Sequence, residues 1–412
     1  MAVEPSPGKE LWLFTMRFPF GKGEAFIESE LPVLLRYFDR VRCIPMLEDA
    51  PMRPVPDRVD VMLPVKDLFR SATPMECVRD AGILIKLFRS EFKHLFRHPS
   101  LWHGRSVLAR QLIHRLQIIR EGLFKEYDPA RVILYSYWTT EWATLLAMLR
   151  TERIDLQFVS RVHGFDLFEE HAGGIPFREL HLEQAGKIFA VSDAGLNYMA
   201  RKYPEHRSKF ELAHLGTADH GSGPVPSDPI PTIVSCSSLI PLKQVGLIAR
   251  SLTMCTRPLR WVHFGDGPLM EELSRMIGDL PAHVEVELKG AISNADLMQW
   301  YKQHPVDVMM HMSRSEGGVP VALQEAASFG IPLLAIDAGG VNEIVNDRTG
   351  TLLPAEPRPQ IIMRALEQLL QRSRSLTFRE QVREYWAENF SAAINHARFA
   401  RRLISLHEKP PA

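Results

Sequence analysis

Residues 306–336 read VDVMMHMSRSEGGVPVALQEAASFGIPLLAI. The run 306–311 is almost continuously apolar, which is how a strand reads when helices cover both faces of its sheet. The polar run that follows, 313–320, contains two adjacent glycines and reads as a loop. Helical spacing takes over at 321–329, where Pro320 suits the first turn and Gly330 the position just past the end. A second apolar run at 332–336 completes a strand–loop–helix–strand unit, whose two strands must lie parallel.

The same alternation extends in both directions. Strands read at 232–237, 259–264, 284–288 and 350–353, with helices at 244–254, 269–277, 294–301 and 341–345 between them. This is the pattern of a doubly wound parallel α/β sheet. The first half repeats it less cleanly, with strands at 11–15, 42–45, 132–136, 157–162, 187–191 and 211–214. Between the halves, 216–231 is dense in Gly, Pro, Ser and Asp and nearly free of large apolar residues, as a linker would be. The expected organisation is one domain over 1–215, a linker over 216–231, a second domain over 232–390, and a final helical stretch over 391–412 packing back on the first domain.

A chain of 412 residues is about two domains' worth. Its formal net charge of zero argues against a nucleic-acid partner. No apolar run approaches the ~18 residues of a spanning helix. The polar, Pro-rich start lacks the pattern of a secretory signal, so the expected location is the cytoplasm. Four scattered cysteines without C-x-x-C spacing argue against zinc or a disulfide framework. One segment departs from this ordinary composition: across 82–120 eight lysines and arginines interleave with large apolar residues, and Glu91 is the single acid. It reads either as an amphipathic surface for peripheral contact with an anionic membrane, on its inner face, or as the solvated basic side of core helices.

In open parallel sheets ligands bind beyond the carboxyl ends of the strands, so the loops there are where chemistry is sought. The Glu316-Gly317-Gly318-Val319 loop runs into a helix start, whose free N–H groups favour a phosphate. Glu325, one turn in, can lean back toward the same ligand and suits two adjacent ribose hydroxyls; a carboxylate merely stabilised by the helix dipole reads equally well. Lys243 closes the loop Ser237–Lys243 and should open the next helix, an unfavourable place for a cation unless an anion sits nearby. Gly265 follows another strand. In the first half, the loop carrying Gly21, Gly23 and Glu24 and the run Arg161-Val162-His163-Gly164-Phe165-Asp166 offer polar groups at strand ends. There His163 could meet sugar hydroxyls with Asp166 orienting it, or be a structural histidine.

Taken in order, Gly21-x-Gly23-Glu24, His163-Gly164-x-Asp166, His214-Leu215-Gly216-Thr217, Leu239-x-Pro241-x-Lys243, Gly265-Asp266-Gly267-Pro268, Glu316-Gly317 through Glu325-Ala326, and Gly339-Gly340 resemble the bacterial members of glycosyltransferase family 4. The resemblance implies a GT-B fold, with two Rossmann-like domains facing across a cleft. It implies a retaining hexosyltransferase that uses a UDP- or GDP-sugar and a glycan or lipid-linked acceptor in cell-surface polysaccharide synthesis. It also implies donor-side roles for Ser238, Lys243, Gly265, Arg314, Glu316, Gly317, Gly318, Val319 and Glu325, and acceptor-side roles for Gly21, Gly23, Glu24, His163 and Asp166. His163, Lys243 and Glu316 would be the catalytic groups. No cofactor or metal is expected, since no Asp-x-Asp occurs. Two departures stand out. An arginine common in the family near Ser238 is missing, leaving Arg314 as its replacement, and the two glutamates stand one residue further apart than usual. They leave a second reading open, a nucleotide-sugar-binding scaffold without turnover.

Overall fold

The structure is a computed structural model that describes residues 8–21, 24, 26–48, 50–63, 66–67, 69–171 and 174–408. These form two compact units, one from the described parts of 1–191, 195–213 and 396–412, the other from 192–194 and 214–395.

The first unit is built on seven strands: β1 (Glu10–Thr15), β2 (Arg40–Pro45), β3 (Val59–Val61), β4 (Val132–Ser136), β5 (Phe158–Val162), β6 (Lys187–Ala190) and β7 (Phe210–Leu212). All pair parallel, in the order β3-β2-β1-β4-β5-β6-β7. Along the chain run α1 (Ile27–Leu34), α2 (Pro74–Arg79), α3 (Ala81–Arg97), α4 (Trp102–Glu121), α5 (Glu141–Arg150), α6 (Gly164–Leu167), α7 (Arg178–Gln184) and α8 (Asp193–Lys202). Leu11–Thr15 and all of β4 are buried, so both faces of these central strands are covered, and that is why they read as unbroken apolar runs.

The second unit holds β8 (Thr232–Cys236), β9 (Leu259–Phe264), β10 (Val284–Leu288), β11 (Val308–His311), β12 (Leu333–Ile336) and β13 (Gly350–Leu353). They too are all parallel, ordered β10-β9-β8-β11-β12-β13. Its helices are α9 (Val245–Leu252), α10 (Met270–Gly278), α11 (Asn294–Gln303), α12 (Val321–Ser328), α13 (Pro359–Leu370) and α14 (Leu376–Phe390). Residues 216–231 contain no helix or strand. They are nonetheless fastened to this unit: Trp386 Nε1 donates to Thr217 Oγ1 at 2.8 Å, and Arg383 grips both oxygens of Asp219 at 2.6 and 2.8 Å.

The last helix, α15 (Ala392–His407), belongs to the first unit from His396 onward. Its Phe399 ring lies 4.0 Å from the guanidinium of Arg161, which is fully buried on β5 and paired at 2.8 Å with the equally buried Glu30 of α1. Breaking such a pair from one side strands a buried charge, typically at about 3–5 kcal/mol. This pair therefore holds sheet, α1 and α15 as one body. Among the described residues no helix is long and apolar enough to cross a membrane.

In both sheets the strand order reverses direction beside the first strand, between β1 and β4 and between β8 and β11. Helices leave on opposite faces there, and a crevice opens beyond the carboxyl ends of the two strands.

Candidate active site

At the reversal in the second unit, β8 leads into 237–243 and β11 into 312–320. The two loops are stitched together by Arg314 N donating to Leu242 O at 2.9 Å. Pro241–Lys243 is a single 3-10 turn, and Gln244 then takes a left-handed conformation with φ 48° before α9 starts at Val245. Lys243 thus ends a turn rather than opening the helix, which corrects the sequence expectation. Its ammonium is turned aside to Glu316, with Nζ 2.5 Å from Oε1.

The same Glu316 oxygen lies 2.8 Å from Nε2 of His311, the last residue of β11. Burial acts to raise the Glu316 pKa, but His311 and Lys243 outweigh it and bring the carboxyl down to about 2. A cation, a carboxylate and an imidazole are therefore gathered at one point beyond the central strands. Next to them, among the described residues, the amides of Gly317, Gly318 and Val319 meet no acceptor. They lead into α12, whose first N–H groups add positive potential. The loop lies close against 339–340, and Gly339 is required there: φ is 57°, and a Cβ would stand 1.6 Å from Glu316 O. Gly265 is confined likewise, with φ 141° and Ser237 O 1.9 Å from where a Cβ would sit.

Glu325 is buried on α12 and accepts from Asn294 Nδ2, at the start of α11, at 2.6 Å. Burial, opposed only by that hydrogen bond, pushes its pKa up to about 7. Its neighbour Gln324 points elsewhere, donating to Val319 O at 2.9 Å and bracing the loop. Ser238 and Arg314 are both exposed. His311 and Asn294 are the side chains that sequence reading missed. The usable signals were a histidine ending a strand beside the reversal and an amide opening a helix at the same end of the sheet.

In the first unit, His163 follows β5 and is almost fully buried, with its ring 4.8 Å from Tyr137 in a stacked arrangement and 4.5 Å from Trp138. Burial and the nearby Arg161 charge push its pKa well down, so the ring is neutral. Among the described residues neither ring nitrogen has a hydrogen-bond partner. Asp166 does not orient that ring, contrary to expectation. Its carboxylate accepts from two backbone amides at 2.6 Å each, that of His163, which caps the start of α6, and that of Thr139 in the loop after β4. Glu24 is also engaged internally. Held at φ 57°, it accepts from the amides of Met16 (3.1 Å), Arg17 (2.7 Å) and Phe18 (2.7 Å) and from the indole of Trp138. Gly21 has φ 67°, and Gly23 lies outside the described residues.

Among the described residues two groups bring three metal-type ligand atoms within 4.8 Å of one another, Glu179/Glu205/His206 and Asp193/His214/Glu343. Neither includes Lys243, His311, Glu316 or Glu325.

Two all-parallel units of this strand order, each with helices between most of its successive strands, constitute the GT-B fold. Residues 226–389 match the family model described as glycosyl transferases group 1. A curated relative is the GDP-mannose-dependent alpha-(1-6)-phosphatidylinositol monomannoside mannosyltransferase of Mycobacterium tuberculosis, 26% identical over 175 residues, or 40% of this chain and 46% of that one. The chain thus spans about half the length of the curated relatives it matches. Among solved structures, the lipopolysaccharide outer core galactosyltransferase WaaB superposes with a TM-score of 0.67 at 13% identity, covering 96% of this chain and 99% of that chain. Anabaena Alr3699/HepE in complex with UDP-glucose gives 0.62 at 15% identity, covering 96% and 99%. At that identity the likeness is one of fold. Together these findings give the chain a GT-B fold whose second unit is similar to glycosyl transferases group 1.

Proposed function

We propose that the protein is a retaining hexosyltransferase that passes a sugar from a UDP- or GDP-sugar to a glycan or lipid-linked acceptor, without a bound metal, in the assembly of a cell-surface polysaccharide. The observation that carries this reading is that the Lys243 ammonium, held on Glu316, lies beside the amides of Gly317–Val319 before α12, which meet no acceptor among the described residues.

Cleaving a sugar–diphosphate bond builds negative charge on the leaving phosphate, and preorganised positive groups at that point lower the barrier most. Lys243 and the loop amides supply them. Before the donor arrives, the ionised Glu316 holds Lys243 and His311 in position. When the diphosphate takes over the ammonium, Glu316 is released to accept from hydroxyls of the sugar. Glu325 exchanges its Asn294 contact for the ribose hydroxyls. His163, neutral and with both nitrogens unmet among the described residues, can accept from one hydroxyl and donate to another on the acceptor side. Retention follows, in this reading, from attack on the face the phosphate leaves, with the phosphate taking the acceptor proton. Relatives named for GDP-mannose and neighbours solved with UDP-sugars favour different bases, so both nucleotides stay within the proposal.

Thermal denaturation with UDP, GDP and their sugars tests it. The cognate ligand at about 100 times its Kd should add about 2.7 kcal/mol of stability, and Lys243→Ala should remove that gain. An undiminished gain in Lys243→Ala would take the ammonium out of the site. Binding without nucleotide release, with every glycan or lipid acceptor and with water, would leave a scaffold in place of an enzyme.

A further inference from the structure

The side of α3 that faces away from the core carries an apolar stripe of its own. Ile83, Leu87, Glu91 and Leu95, four residues apart, are buried. Ile85, Phe92 and Phe96, which share the opposite face by their spacing of seven and four, are 66%, 59% and 75% exposed. The rings of Phe92 and Phe96 stack at 6.4 Å, and Phe88 stacks on Trp102 at 5.8 Å. Phe88, Phe92 and Trp102 border one open groove together with Arg89 and Lys93.

Charge on this helix is equally one-sided. The arginines of α4 are largely engaged internally: Arg105 pairs with Glu91, Arg115 with Glu141, and Arg120 with Asp80 and Glu152. Among the described residues none of Lys86, Arg89, Lys93 and Arg97 pairs with a carboxylate, and the one acid of α3, Glu91, is turned inward. The structure thus divides the basic segment 82–120, giving α4 to internal pairing and leaving α3 with a cationic flank beside an exposed apolar stripe. Water solvates such a stripe poorly. An anionic bilayer complements both parts, accepting the aromatic rings among its acyl chains and the cations at the phosphate level.

We propose that α3 is a docking helix for anionic membrane, lying along the lipid surface with Ile85, Phe92 and Phe96 inserted. Flotation of the full-length protein with vesicles tests this. It should rise at low salt with vesicles containing phosphatidylglycerol and stay behind with pure phosphatidylcholine. Each cation near the surface contributes about fivefold in binding, so the Lys86→Ala/Arg89→Ala/Lys93→Ala variant should lose on the order of a hundredfold. Phe92→Ser/Phe96→Ser should also lose flotation. Because these side chains are exposed, both variants should keep the wild-type melting temperature and nucleotide response, which separates this test from that of the transferase reading. Absence of flotation with the anionic vesicles, or flotation undiminished in both variants, would overturn the proposal. So would concentration-dependent self-association abolished by Phe92→Ser/Phe96→Ser without vesicle binding, which would make the stripe a contact between copies.

Discussion

The two sheets reverse at equivalent points, yet the loops beyond the reversals use their carboxylates in opposite ways. In the first unit Glu24 and Asp166 accept from backbone amides, three and two of them respectively, so Glu24 fixes the path of its own loop and Asp166 ties the start of α6 to the loop after β4. In the second unit glycines at 265 and 339 give the loops their shape, and Glu316 and Glu325 meet the side chains of Lys243, His311 and Asn294. A side-chain partner can swing to an incoming ligand, whereas an amide cannot leave its carboxylate without refolding the loop. A strand-end acid is thus recruitable where glycine already shapes the turn, and is scaffolding where the acid itself does so.

The sharpest way to break this comparison is to delete one acid of each kind. Asp166→Ala leaves two buried amides without acceptors, at about 1–3 kcal/mol each. We expect a total loss of several kcal/mol, lowering the melting temperature by roughly 6–12 °C at about 2–4 °C per kcal/mol. Glu316→Ala leaves a partly exposed Lys243, which can be rehydrated, and the imidazole of His311 without their carboxylate, and should cost less than Asp166→Ala. Calorimetry on both variants decides it. Equal losses would mean that Glu316 is as much scaffolding as Asp166.

Glu325 sharpens the contrast through pH. Its carboxyl keeps the proton up to about pH 7 in the folded protein, against 4.5 as the ordinary value. Between those values the folded state binds more protons than the unfolded one, so stability falls as pH rises through the window, by up to ~3 kcal/mol. Glu325→Gln should flatten that slope. The variant should match the wild type near pH 4 and exceed it near pH 8, as read from urea denaturation across the range. Ribose hydroxyls donate to the ionised form, so wild-type nucleotide affinity should rise with pH through about 7, and the Gln variant should lose that dependence. A wild-type stability profile without this fall would show that the carboxylate is better solvated than its burial implies.

The layout of the sheets was legible because strands covered on both faces are mostly apolar runs, while the edge strand β10 alternates Val and Leu with Glu. The readings at 132–136, 259–264, 284–288 and 350–353 have the same ends as β4, β9, β10 and β13. β3 was not legible, since Val59-Asp60-Val61 at a sheet edge is too short to show a period. Nor was the left-handed Gln244 that separates Lys243 from α9, because nothing in a glutamine's chemistry announces that conformation. The positions of Lys243, Glu316 and Glu325 near the carboxyl ends could be anticipated, but their partners could not. Lys243 meets Glu316 across 73 residues and Asn294 meets Glu325 across 31. Those pairs are created by the crossing of the chain between β8 and β11, which no local spacing encodes. Asp166 misled for a related reason: a carboxylate three residues after His163 reaches the backbone amide of a helix start more directly than the imidazole.

The smallest expected effect concerns Arg314, set against Lys243 in the same corner. Its backbone is fixed to Leu242, and with the Gln244 amide turned so that its oxygen accepts, Arg314 Nη2 lies 3.2 Å from that oxygen. The guanidinium is therefore held beside the Lys243 turn while remaining exposed, as is Ser238. A charge-assisted contact to phosphate at such a place is worth about 1.5 kcal/mol, so Arg314→Ala should weaken UDP or GDP binding roughly tenfold and leave the melting temperature of the free protein unchanged. Adding Ser238→Arg to that variant should recover most of the loss, because positive charge at this corner, more than the strand that supplies it, is what the phosphates require. If titration calorimetry finds Arg314→Ala silent while Lys243→Ala abolishes binding, then one ammonium and the α12 amides suffice, and the loop shaped by Gly339 carries more of the diphosphate than its single neighbouring cation suggests.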